Sequence, residues 1–403
     1  MKKKLIVTCL AVASAVVCAL SVSACNSGND NSNDGKHKHT YSETWASDEN
    51  YHWHAATCEH TDNVKGKEKH SYTNGVCKCY ALAPDVPDST GLDFFKEKDE
   101  ESYWVCGLGT VMTNYVKIPA MHNGLPVTGI FSNAFYQSTG IKSIYFPASM
   151  TNICDMFSGY NSLECVAVAS DSENYYCVNN CIVEKATDSI AFACNSSVIP
   201  ADGSIREIGN YAFCGLTLLT EINIPDCITK IGNGAFSRCK FTSVTIPAGV
   251  TEISDRLFYA CASLKTVNLP NGITSIGRIA FSECTSLKNI TLPNSVTSID
   301  YQAFSDSAIT EITIPDGLTT IGEKAFYNCE SLTTITIPNS VTEIGHVAFE
   351  DCERLSRIIY KGTVNEWKAI EKDPYYINTG SYIVYCTDGK LDSSGKPVPE
   401  EWA

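Results

Sequence analysis

Seven phenylalanines pace the C-terminal half of the chain: Phe213, Phe236, Phe258, Phe281, Phe304, Phe326 and Phe349, at intervals of 23, 22, 23, 23, 22 and 23 residues. Pro225, Pro247, Pro270, Pro293, Pro315 and Pro338 keep the same beat. Residues 286–307, SLKNITLPNSVTSIDYQAFSDS, and 331–352, SLTTITIPNSVTEIGHVAFEDC, show what is kept: the apolar positions persist while the polar ones change. Such a period excludes most globular topologies. One period is a single coil that cannot bury its apolar face alone, and stacking several coils buries a continuous core.

The unit reads Leu-x-x-Ile-x-Ile-Pro-x-x-Val-Thr-x-Ile-Gly-x-x-Ala-Phe-x-x-Cys, and each kept residue has a mechanical task. Leu332, Ile335 and Ile337 point inward around a short strand in which Ile335-Thr336-Ile337 alternates in, out, in. Pro338, without an N–H, ends that strand. Val341 and Ile344 build the next side, and Gly345 permits a tight corner, with a positive φ open to it. Phe349 fills the centre against the Phe of each neighbour, and Cys352 is a small buried filler. In the 22-residue periods the missing residue falls just after the Cys or Ser position, in RCKFTSV and SDSAITEI.

IPxxVTxIGxxAF recurs with few changes from about residue 205 to 358, and this pattern resembles the BspA-like leucine-rich repeats of bacterial surface proteins. The fold expected is mainly β with short turns and helices: a right-handed leucine-rich repeat solenoid with N- and C-terminal caps, preceded by a small Cys/His-rich module. The expected order is a signal peptide at 1–24, a tether at 25–36, the Cys/His-rich module at 37–80, a linker at 81–90, an N-terminal β cap at 91–118, repeats at 119–358, a C-terminal cap at 359–390 and a tail at 391–403. Asn123–Ile130 with Ala134-Phe135 reads as a worn first repeat and Phe157 as the next. Residues 158–205 are irregular and are expected to hold two coils with a protruding loop or hairpin. A short helix near Asn365–Glu371 and a strand near Tyr382–Cys386 should cover the last coil, whose open strand edge would otherwise recruit other chains.

Lys2-Lys3-Lys4 followed by the apolar run Leu5–Leu20 has the shape of a targeting segment that is removed, too short to span a bilayer. Val22-Ser23-Ala24-Cys25 resembles the bacterial lipobox. That resemblance implies lipidation of Cys25 and cleavage before it, with an ordinary secretory signal as the alternative. Two or three acyl chains anchor stably, at about 0.8 kcal/mol per buried CH₂. The expected location is therefore the outer side of a bacterial membrane. The formal charge is −15, and −18 without the three N-terminal lysines. A field of that sign repels phosphate backbones, which argues against nucleic acid as a partner.

Six of the eight histidines lie between His37 and His70, with Cys58, Cys77 and Cys79 among them. Neutral imidazole and thiolate are zinc ligands, and a module of about 45 residues needs a metal or a disulfide as a staple. His52, His54, Cys58, His60, Cys77 and Cys79 are the candidate ligands of a structural zinc. His52 and His54 would point to one side of an extended segment, which suits chelation or stacking on Trp45 and Trp53. A disulfide from Cys58 to Cys77 or Cys79 and histidines packed merely on aromatics are the competing readings. The segment also resembles Tyr-His-Trp-His stretches of surface lipoproteins that carry such repeats.

Cys239, Cys261, Cys284, Cys329 and Cys352 share one repeat position, which Ser307 completes, and so read as reduced filler. Cys177 and Cys181 are spaced so that they could pair. Nucleophile elbows, phosphate loops and paired carboxylates at fixed spacing are absent from the sequence, and His122 and His346 stand alone as solvent residues, so no enzyme is expected. What remains is a surface. Two positions per repeat face out of the strand on the expected concave side: Glu221 and Asn223, Ser243 and Thr245, Thr266 and Asn268, Asn289 and Thr291, Glu311 and Thr313, Thr334 and Thr336. Thr suits any exposed strand. The sharper reading is a shallow groove for an extended polar ligand. The column lacks an aromatic platform, which favours an extracellular protein over a glycan. The BspA-like resemblance implies adhesion to host matrix proteins or to other bacteria. Metal capture by the Cys/His segment is the alternative function.

Overall fold

The computed structural model describes residues 46–47, 51–55, 64–73, 76–83, 85–135, 140–153, 162–373, 375–377 and 381–399. The segment 1–24, Cys25, Cys58, His60 and Phe157 lie outside them.

The repeats form stacked coils with three sides. One side is a strand column: Ser243–Thr245 pairs in parallel with Thr266–Asn268, and Glu311–Thr313, Thr334–Ile337, Arg357–Tyr360 and Ile383–Cys386 continue in the same sense. A second column runs through Glu252–Ile253, Ser275–Ile276, Ser298–Ile299, Thr320–Ile321, Glu343–Ile344 and Glu371–Lys372. The third side is a row of turns that carry the Ala-Phe pairs. Their backbones bond across coils: the Phe258 N–H donates to the Ala280 carbonyl at 2.9 Å and the Phe281 N–H to that of Ala303 at 2.8 Å. In the regular repeats the strands of the first column stop at or just before Pro247, Pro270, Pro315 and Pro338, and the proline carbonyl then accepts a turn bond, as from Val341 N–H to Pro338 at 3.2 Å.

The seven phenylalanines are fully buried and stack along the centre. From Phe258 to Phe349 their ring centroids lie 5.3–5.5 Å apart, with interplanar angles of 4–18°. In the two shortened periods Phe241 and Ile309 take the place of the usual leucine one residue early, and both are fully buried. Deleting one turn residue thus leaves the inward register intact.

The corner glycine works differently from its sequence reading. Gly232, Gly277, Gly322 and Gly345 do not carry a positive φ. A Cβ on Gly345 would lie 2.7 Å from the backbone nitrogen of Glu323 in the preceding coil, and one on Gly322 would lie 2.7 Å from the Ile299 carbonyl. The glycine is there for the close approach of neighbouring coils. The left-handed conformation falls two residues later instead, on Tyr211, Arg256, Ile279, Gln302, Lys324 and Val347.

The irregular stretch also differs from expectation. Tyr175–Val178, Cys181–Glu184 and Ser189–Ala193 form an antiparallel meander that is buried, not protruding. Cys181 and Val183 point into the C-terminal core, while Ile182, between them, points into the N-terminal one. A strand buried on both faces is apolar at successive positions, as here, and forms the wall between two cores. Cys177 packs on the N-terminal core and its Sγ donates to the Val166 carbonyl, so Cys177 and Cys181 do not form a disulfide.

At the N-terminal end, Asp93–Lys96 pairs antiparallel with Tyr103–Gly107, which adds in parallel to Leu125–Ile130. At the C-terminal end a helix, Val364–Ala369, starts from a capping box: Thr363 Oγ1 accepts from the Glu366 N–H, and Glu366 Oε2 accepts from the Thr363 N–H at 2.7 Å. Trp367 from this helix is buried against Tyr360. The packed body passes residue 390, because Leu391, in the strand Gly389–Asp392, is buried. No helix among the described residues is long and apolar enough to cross a membrane.

Candidate binding face and candidate metal centre

Within the strand column the inward residues are buried and the outward ones exposed or half-buried, because successive side chains alternate. Ser243, Thr245, Thr266, Asn268, Asn289, Thr291, Glu311 and Thr313 are exposed; Thr334 and Thr336 are half-buried. Glu221, exposed, and Asn223, half-buried, lie on the same repeat position, but 221–223 and 289–291 are not hydrogen-bonded as strands, so the ladder has two gaps. Neighbouring coils link through their side chains, as where Asn268 Nδ2 donates to Thr245 Oγ1 at 3.0 Å.

The register adds residues that the repeat pattern did not reveal. Thr334 pairs with Arg357 and Thr336 with Ile359, which pairs with Tyr385, so Arg357 and Tyr385 share the outward face. The Tyr385 ring lies between the Arg357 guanidinium, 4.7 Å from its centroid, and Lys390 Nζ at 5.3 Å. A separate three-stranded column, Tyr115–Lys117, Ser143–Phe146 and Cys165–Val168, carries a similar pair, with Lys117 Nζ 5.6 Å over Tyr145. The strand face is thus hydroxyl- and amide-rich, with a tyrosine between two cations at its C-terminal end. That end lies outside the regular repeats, where the periodic pattern carries no signal.

The cysteine column is buried and has a function as donor. Cys239, Cys261, Cys284, Cys329 and Cys352 are free thiols. Each Sγ donates to a phenylalanine carbonyl of the preceding coil, from Cys261 to Phe236 at 3.0 Å and from Cys284 to Phe258 at 3.2 Å, for example. Ser307, buried in the same column, meets Cys329 Sγ at 3.5 Å. Burial pushes Cys261 up to about 12 and keeps Cys239 and Cys284 well above the usual thiol range. The two isolated histidines have partners: His122 stacks on Phe94 at 3.9 Å, and His346 Nδ1 meets Asp373 at 2.9 Å. His346, aided by the Tyr375 N–H, holds the Asp373 carboxyl below its ordinary range.

In the Cys/His module, Tyr51–Ala55 pairs antiparallel with Val64–Lys69, and Tyr51 lies opposite Lys69. That return brings His70 beside His52. A second short pair, Tyr72–Thr73 with Val76–Cys77, leads into a turn closed from Tyr80 N–H to the Cys77 carbonyl, with Tyr80 at φ 68°. His52, His70, Cys77 and Cys79 come together, with one ligand atom from each all within 4.8 Å of one another. Of the six expected ligands the structure gathers His52, Cys77 and Cys79. His54 is outside this group, and the pairing register slips between His52 and His54. His70, in the same His/Cys-rich stretch but not among the six, takes the fourth place. Burial, with the Lys78 charge, holds His52 below the ordinary imidazole range. Burial pushes Cys79 up to about 12.

The family model for the BspA type leucine rich repeat region, with six copies, matches residues 113–193, 188–307 and 251–370. No match is found among the curated proteins. Among solved structures, a leucine-rich repeat protein from Bacteroides ovatus is 24% identical, covering 75% of this chain and 79% of that one at a TM-score of 0.40. A leucine rich cell surface protein from Faecalibacterium prausnitzii is 22% identical, with coverages of 72% and 99% and a TM-score of 0.27. The pneumococcal vaccine antigen PcpA is 13% identical, with coverages of 87% and 100% and a TM-score of 0.43. With its matched repeats spanning residues 113–370, the chain belongs to the BspA-type leucine-rich repeat family.

Proposed function

We propose that this is a lipid-anchored bacterial surface protein that binds other extracellular proteins through the strand face of its solenoid and catalyses no reaction. The observation that carries this is the outward column: small hydroxyl and amide side chains, exposed in successive coils, on a scaffold whose inward residues are buried. Such a surface offers a regular set of donors and acceptors to an extended partner, of the host matrix or of another bacterium. Family membership supports a binding scaffold, and the basic, apolar and Ala24-Cys25 elements of the N-terminus support export with lipid attachment at Cys25. The alternative of metal capture is disfavoured because His52, Cys77 and Cys79 are almost completely buried, which suits a closed site rather than a loading one.

The test is a binding screen of the full chain against matrix proteins, mucins, glycans and bacterial surfaces, with Thr291→Arg/Thr313→Arg alongside. One protein target whose affinity falls at least about tenfold in the double variant, or about 1.4 kcal/mol, supports the reading. Undiminished binding by the double variant removes the face from consideration. A target lost on deglycosylation, together with loss in Tyr385→Ala, would make the ligand a glycan. Cys25→Ala should release the protein from membranes; retention there contradicts the lipid anchor.

A further inference from the structure

The structure assigns a second, independent site to the N-terminal module: we propose that His52 Nδ1, His70 Nδ1, Cys77 Sγ and Cys79 Sγ bind one zinc ion in a closed tetrahedron that holds the module together.

The geometry carries the argument. Zinc binds nitrogen at about 2.0–2.1 Å and sulfur at about 2.3 Å, so a tetrahedron has edges of about 3.3–3.4 Å between nitrogens and about 3.5–3.6 Å between nitrogen and sulfur. The two Nδ1 atoms are 3.4 Å apart. His70 Nδ1 is 3.4 Å from Cys77 Sγ and 3.4 Å from Cys79 Sγ, and His52 Nδ1 is 3.5 Å from Cys77 Sγ. Four edges therefore match to within about 0.2 Å. Hydrogen bonding does not account for the same arrangement. One imidazole nitrogen has a single lone pair or a single N–H, directed along the ring plane. His70 Nδ1 meets three partners at once, which is what four ligand atoms aimed at one central cation would do.

The surroundings fit a structural ion. Among the described residues the module has little core of its own: Ala46 and Trp53 are buried, with Tyr51 and Val198 of the repeats against them, and all six residues of Val64–Lys69 are exposed. So small a sheet does not bury enough apolar surface to hold itself. The cluster ties the strand Tyr51–Ala55, the end of Val64–Lys69 and the turn at 77–80 at a single point. All four positions of the tetrahedron come from side chains, leaving none for a substrate, which distinguishes a structural from a catalytic zinc. Two thiolates with two imidazoles suit zinc rather than calcium or magnesium. Glu68 lies beside the cluster: its Oε2 is 3.7 Å from His52 Nε2, a charge contact longer than a hydrogen bond, and is held by Lys78 Nζ at 2.8 Å.

The experiment uses the full chain purified in mild detergent, dialysed exhaustively, and measured for metal content. One zinc per chain is expected, retained in His54→Ala and lost in His70→Ala and Cys79→Ser. X-ray absorption on the unmutated protein reads the same proposal without any variant: two nitrogen and two sulfur scatterers are expected around the zinc. Hydrogen exchange should accelerate in 51–83 when a strong zinc chelator is added, while the coils 236–349 keep their protection. The proposal is overturned by a first shell without sulfur, by zinc that persists in Cys79→Ser, by several dialysable equivalents, or by a disulfide on Cys77 or Cys79 in the native protein. None of these outcomes depends on whether the strand face binds a partner.

Discussion

The stacked phenylalanines make a quantitative claim about how the solenoid is held. Phe281 is fully buried, with its ring centroid 5.4 Å from Phe258 and 5.3 Å from Phe304, at interplanar angles of 18° and 5°. Phe281→Ala removes contacts to both neighbours and leaves a hole that a coil pinned on both sides cannot close, so the cost should be about 3–5 kcal/mol. Against a folded-state stability of about 5–15 kcal/mol, that is a large share. A repeat touches only its neighbours, so the weakened coil should also split the array, and the unfolding transition should broaden or divide. The stacking itself is isolated by a double-mutant cycle of Phe281→Ala with Phe304→Ala. Adjacent rings should couple by about 0.5–1.5 kcal/mol, whereas Phe236 and Phe304, three coils apart, should add within about 0.5 kcal/mol. Native-state hydrogen exchange on the six proteins of the two cycles measures both numbers and locates the broken coil. If the adjacent pair couples no more than the separated pair, the rings fill space independently and the continuous stack does not stabilise the array.

Ile279, a β-branched residue at φ 59°, bears a left-handed conformation that costs L-residues about 1–2 kcal/mol, so Ile279→Asn should raise the melting temperature; a fall would refute that placement. Gly345→Ala should lose about 1–3 kcal/mol although its φ is ordinary, because the new Cβ would meet Glu323 backbone at 2.7 Å; a neutral result in thermal melts would show that the coils are not so closely spaced. Thr363→Ala removes the N-cap of the terminal helix and should cost about 1 kcal/mol in denaturant titrations. The Thr363 N–H and hydroxyl hold the Glu366 carboxyl below its ordinary 4.5. Its folded value is depressed, so its contribution is present above the ordinary value and is lost as pH falls through the folded one. Exchange in 364–369 should rise in acid, and Thr363→Ala should flatten that dependence.

What the sequence discloses and what it conceals divide along a physical line. Periodicity reports which side chains share a core. It therefore placed Phe213 to Phe349 at the centre, ended the strands at the prolines, and located the deleted residue beside Phe241 and Ile309. Glycine at the corner is ambiguous, because the same residue serves either a positive φ or the absence of a Cβ. The stacking distance of the coils selects the second, and closure of the turn then forces the positive φ onto Ile279, Lys324 and Val347, which share no residue type. Contacts made by antiparallel returns have no period at all. His70 reaches His52 across 18 residues, and Cys77 reaches it across 25, because Val64–Lys69 folds back on Tyr51–Ala55. The local alternation that favoured His54 says nothing about such a return. The meander at 175–193 is concealed for the same reason: its apolar runs could have lain in a loop over one core, and only the pairing of Cys181–Glu184 with strands on both sides makes it the wall between two. The Cys/His cluster and the wall are thus two places, among the described residues, where this chain leaves the one-dimensional logic of its repeats. They are also where a single substitution should act on contacts distant in sequence rather than on the next coil.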